Sequence, residues 1–139
     1  MADTDKVIAG KLADAQKRAA EYATEANRLS EMIHRFELLL SELPSKVEAE
    51  CPLGDNGAKL AFTRHAGGQW RLVHRARNGH ESILMGCSID TKLAAASAMA
   101  ALVESLAVVQ QSNLARLRDA NVLLESLFAS LKTVGKERA

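Results

Sequence analysis

The sequence predicts a helix-rich α+β fold: two long antiparallel helices, paired as a coiled-coil-like stalk, flanking a small three-stranded antiparallel β-meander head. Three observations predict it. Apolar residues recur in steps of four and three from Ile8 to Leu43, and again from Leu93 to Leu131. Between these runs lie both prolines and a cluster of glycines that separate short alternating segments. Steps of four and three are the a/d spacing that keeps one stripe of a helix turned to a partner helix, whereas alternation of period two marks a strand with one covered face.

The first helix is expected over about 4–43. Its seam reads Ile8, Leu12, Ala15, Ala19, Tyr22, Ala26, Leu29, Ile33, Phe36, Leu40 and Leu43, with Asp3 or Thr4 as N-cap and Pro44 as the stop. The head is expected over 58–86. Lys59–His65, Gln69–Arg75 and His80–Met85 alternate, and Gly67-Gly68 and Asn78-Gly79 stand between them. Asn-Gly favours a two-residue type I′ turn, because both residues tolerate positive φ. The last helix is expected over 90–134, capped by Ser88 or Asp90 and ended by Gly135. Its seam is Leu93, Ala96, Ala100, Val103, Ala107, Gln110, Leu114, Leu117, Asn121, Leu124, Phe128 and Leu131. The phase survives Gln110-Gln111-Ser112-Asn113, which points to one helix, with a hairpin broken near Ser112 as the alternative. An antiparallel pair would set Leu43 opposite Leu93 and Phe36 opposite Ala100.

A chain of 139 residues suffices for a single domain, taken here as 1–139. Apolar residues form 47% of it and aromatics 4%, a balance that suits closely packed, alanine-rich helices. The net charge of +1 supplies no global field toward nucleic acid or membrane, so any electrostatic role must be local. The first residues lack the basic and apolar regions of a signal peptide, and the apolar stretch within Ala94–Val109 is interrupted by Ser97, Glu104 and Ser105. A cytoplasmic protein is expected.

A second apolar stripe on the last helix comprises Met99, Leu102, Leu106 and Val109, then Ala120, Leu123, Leu127 and Val134. A two-helix hairpin cannot cover it; the sheet can cover part, but the distal part is too far along the stalk, so Met99, Leu102, Leu106, Val109, Leu123 and Leu127 are expected to form an interface between copies, with a homodimer as the product. The head carries Arg64, Arg71, Arg75 and Arg77 with Lys59, and no acidic residue between Lys59 and His80. Arginine forks bind phosphate, and an exposed Trp70 would stack on a base, so these arginines are candidates for an anionic partner.

The order helix, three strands, helix is also that of a double-stranded-RNA-binding domain. Thr91-Lys92-Leu93-Ala94-Ala95-Ala96 resembles the start of that family's basic second helix. The likeness spans about Lys59 to Leu106, with Lys92 the one match to the basic cluster, and it implies RNA binding; the long first helix is foreign to the family.

No metal or cofactor is expected. Cys51, His65, His74, His80 and Cys87 lack the tight ligand spacing of Cys-x-x-Cys or His-x-x-x-His, and no phosphate loop or nucleophile elbow occurs. The function expected is therefore non-enzymatic: a homo-oligomeric interaction module whose stalk sets assembly and whose basic head binds an unidentified protein partner, or alternatively nucleic acid.

Overall fold

The computed structural model describes residues 2–138 and is α+β, two long helices on a four-stranded antiparallel sheet. Helix α1 spans Ala2–Ser41 and α2 spans Ile89–Arg138. Between them run β1 (Ala49–Leu53), β2 (Ala58–Arg64), β3 (Trp70–Arg75), β4 (Glu81–Ile83) and a 3-10 turn at Leu84–Gly86. The strands lie in chain order across the sheet. The last helix is unbroken through Ser112 and runs past Gly135.

The sheet has one strand more than the sequence predicts. β1 alternates Ala49, Cys51 and Leu53 inward against Glu50 and Pro52 outward, and pairs with β2 from Ala49↔Phe62 to Leu53↔Ala58. Pro52 obscures the pattern, but it sits on an edge strand, where a missing N–H is tolerated. The β3–β4 connection also differs. Ala76 donates to His80 O (2.8 Å), so Arg77, Asn78 and Gly79 all lie in the loop, and Gly79 (φ 89°) rather than Asn78 takes the positive φ. This is a three-residue loop, not a type I′ turn.

One face of the sheet presents Ala49, Cys51, Leu53, Leu60, Phe62 and Leu72 to the helices. Leu60, Phe62 and Leu72 are fully buried there with Leu84, and Trp70 stacks on Phe62 at 5.2 Å between ring centroids. From α1 come Ile33 and Leu40, with Leu29 and Phe36 at the margin; from α2 come Ala95, Leu102 and Leu106. Ser88 caps α2, its Oγ accepting from Thr91 N.

The antiparallel pairing of the two helices is not what the chain forms. Glu37 lies beside Leu72, and Ser41 beside Gly68 and Gln69, so α1 runs against β3. Ala98 O accepts from Cys51 Sγ, and residues 110–120 lie beside Ser45 and Val47, so α2 runs against β1. In an antiparallel sheet β1 and β3 share one direction, and the two helices therefore run the same way. A side-chain hydrogen bond between them fits this: Lys92 Nζ donates to Ser30 Oγ at 2.9 Å, far from the expected Leu43–Leu93 match. Each helix covers its own strand, and the parts that outrun the sheet leave from opposite ends.

Two consequences correct the expectations. Phe36 packs into the core of its own head, whereas Ala100 is exposed. Leu102 and Leu106, expected between copies, are 1% and 6% exposed under their own sheet, with Met99 and Val109 half-buried beside them. The helix uses its second stripe for the core and turns the expected seam, from Leu93 to Val103, outward.

Candidate functional site

Two surfaces could carry function: the outer face of the sheet and the free arms of the helices. On the outer face Arg75, from the inner strand β3, reaches carboxylates on both sides. It hydrogen-bonds Glu81 from β4 (2.7 Å), Glu48 before β1 (3.2 Å) and Glu50 of β1. Lys59 also pairs with Glu50 (2.9 Å), Thr63 donates to Glu48 (2.7 Å), and His65 Nδ1 lies 3.5 Å from Glu81. The guanidinium is raised by its bond to Glu81. The hydrogen bond from Lys59, aided by Arg75, holds Glu50 below the ordinary carboxylate range, and Arg75 does the same for Glu81.

Arg71 is engaged as well. Its Nε lies 3.3 Å from Glu37 Oε1, though the N–H is not aimed well enough to form a hydrogen bond. Glu37 itself is 5% exposed. Because β4 pairs only with Val73–Arg75, the β3 edge is open at Leu72, and Glu37 Oε2 accepts the Leu72 N–H at 2.8 Å. The carboxylate thus takes the place of a strand neighbour. Arg64 stacks over Trp70, 5.9 Å from the ring centroid, and the Arg77 stem lies against Gly57.

The basic head is therefore a charge-paired surface. The carboxylates that neutralise it sit just outside the window that looked purely basic, at Glu48, Glu50 and Glu81, and on the distant Glu37. Lys92, the residue that carried the likeness to an RNA-binding helix, is 8% exposed. Reversal of Arg75 to glutamate would place a fourth carboxylate among Glu48, Glu50 and Glu81, and reversal of Arg71 a second one beside Glu37.

Lowered carboxyl pKa values fix a pH dependence. A glutamate whose folded-state pKa lies below its unfolded value adds stability above that unfolded value, 4.5, and the contribution is lost as pH falls through the folded value. Thermal midpoints should fall as pH is lowered below about 4.5, and Arg75→Gln should flatten that fall. Equal pH slopes in the two proteins would show that Arg75 does not hold these carboxyls.

Cys51 and Cys87 are free thiols, both pushed up by burial, and donate to Ala98 O and Ile83 O. Such groups stay protonated at neutral pH and are poor nucleophiles. His74 is half-buried on β3, His80 is exposed, and no group of three or more metal-ligating side chains occurs among the described residues.

The arms are different in kind. Every residue from Asp3 to Glu25 and from Leu114 to Gly135 is exposed. Their apolar seams are exposed with them: Ile8 58%, Leu12 58% and Tyr22 61% on α1, and Leu117 62%, Leu124 48% and Phe128 59% on α2. Leu123 (71%) and Leu127 (52%), also expected between copies, lie free on the same arm. Where the α2 arm leaves the sheet, Val47, Leu114, Leu117 and Ala120 line an open, mainly apolar groove of about 640 Å³, which Ser45, Gln110, Asn113 and Arg116 also line. α2 is also, by length and composition, apolar enough to cross a membrane, with an 18-residue stretch of mean hydropathy 1.7 that is 22% buried. No family model matches the chain, and no curated protein or solved structure is detectably similar to it.

Proposed function

We propose that this protein is a non-enzymatic interaction module that assembles with copies of itself through its helical arms and uses the sheet head as a surface for a protein partner. One observation carries this reading: a seam of apolar residues at coiled-coil spacing stands uncovered along both arms. Most helical stability in proteins comes from packing an apolar face, and along the arms that face has nothing of this chain against it. A soluble monomer also rarely presents so continuous an apolar surface. The arms are therefore parts of an assembly. The head supports binding rather than catalysis, since its ionic groups neutralise one another and its thiols are held protonated. The nucleic-acid alternative loses its principal cations, Arg71 and Arg75, to internal carboxylates.

The test is a pair of charges in the seam. Leu117→Glu with Leu124→Glu leaves the head untouched and should convert a dimer, of twice 15.0 kDa, to monomer in light scattering. An unchanged oligomer mass would place the contact elsewhere and remove the role of the arms.

A further inference from the structure

The geometry points to how a second copy docks: antiparallel, so that each α1 arm lies along the seam of its partner's α2 arm and the partner's Tyr22 enters the groove beneath Val47. This rests on the homo-oligomer reading and adds the orientation, the register and the residue that anchors it.

The two arms of one chain cannot meet, since they leave opposite ends of the sheet. A twofold axis across the helices solves this for both arms at once. It turns the second copy end for end, so the partner's α1 arm lies on this chain's α2 arm, while this chain's α1 arm lies on the partner's α2 arm. That contact is closed and self-complementary. Stacking copies in one sense would instead leave an unfilled arm at each end and grow an open filament. The arms match in length: Asp3–Glu25 extends about 33 Å and Leu114–Gly135 about 32 Å at 1.5 Å per residue.

The side chains also match. Counted outward from the head, the α2 seam Leu114, Leu117, Asn121, Leu124, Phe128 meets the partner's Tyr22, the partner's Ala19, the partner's Ala15, the partner's Leu12 and the partner's Ile8. Each a position then faces a d position, as antiparallel helices require. The central layers set alanine against leucine or asparagine. Pairing like with like would stack Ala15 and Ala19 on themselves in one stalk and Phe128 on itself in the other, so that one seam is underfilled and the other crowded.

The groove supplies an independent reason. It is mainly apolar, opens at the root of the α2 arm, and includes Leu114 and Leu117, the two residues beside which this register brings the partner's Tyr22. Tyr22 is the one tyrosine of the chain and lies 61% exposed on an otherwise alanine-rich stretch. A ring in the groove would cover Val47 and Leu117, and Ser45, Gln110 and Asn113 offer partners for its hydroxyl.

The test is disulfide trapping in a Cys87→Ser background, which leaves only the buried Cys51. The double variant Ala15→Cys with Asn121→Cys should yield a covalent dimer on mild oxidation, and neither single variant should. Tyr22→Ala should raise the dimer dissociation constant at least about tenfold, as loss of a central aromatic anchor does. A covalent dimer from Asn121→Cys alone would mean that α2 arms pair with each other, and one from Ala15→Cys alone that α1 arms do; either overturns the proposal. A dimer in light scattering that none of the variants traps overturns it too, with self-assembly intact. A monomer in light scattering would remove the homo-oligomer reading itself.

Discussion

Replacing Phe62 by alanine is expected to cost about 3–5 kcal/mol, the largest single effect of any side chain in the head. Phe62 is fully buried at the centre of the sheet, paired across the ladder with Leu72 and Ala49 and stacked on Trp70. Its removal leaves a cavity that β2 cannot close, because both neighbouring strands hold it in place. Trp70 would also lose its aromatic neighbour. Urea unfolding followed by Trp70 fluorescence reads both effects. A loss below about 1 kcal/mol would mean that the helices do not seal this face of the sheet.

Glu37→Ala is expected to cost about 2–4 kcal/mol, large for a polar residue. It strips the acceptor from the Leu72 N–H, which β4 is too short to reach, and leaves Arg71 facing the edge of the core without its carboxylate. Glu37→Gln separates the two contributions, since the amide still accepts the N–H but carries no charge. It should retain more than half of the lost stability if the strand-edge bond dominates. Equal losses in the two variants would assign the effect to the Arg71 pair, and a loss below about 0.5 kcal/mol in Glu37→Ala would place this carboxylate in solvent.

Both sites show what the sequence conveys and what it conceals. Helical periodicity was legible because it is local: the spacing of Ile33, Phe36 and Leu40 is enough to name a helix. The choice between stripes was not. The Leu93–Val103 seam and the Leu102–Leu106 stripe are comparably apolar, and only the position of the sheet decides which is covered. The direction of α2 was hidden for the same reason. It follows from β1, whose alternation of Ala49, Cys51 and Leu53 was present but masked by Pro52. The added edge strand gives α2 a strand of its own to cover, beside α1 on the same face of the sheet.

The charge-paired face teaches a related lesson. Arg64, Arg71, Arg75 and Arg77 look unopposed along the chain, yet strand pairing brings Glu50 and Glu81 to Arg75 from either side, and α1 brings Glu37 to Arg71. Charge along a sequence is not charge on a surface. Seam residues show the converse: Leu12 and Leu124 have the spacing of buried positions but find no cover within the chain.

That uncovered seam is the centre of the account, and the mass of the protein in solution tests it most directly. Light scattering across a dilution series reaching down from about 50 µM, where modest interfaces are saturated, should give twice 15.0 kDa at the upper end and fall toward 15.0 kDa on dilution or on mutation of Leu117 and Leu124. A mass of 15.0 kDa at every concentration would contradict it, since the arms would then stand in water alone.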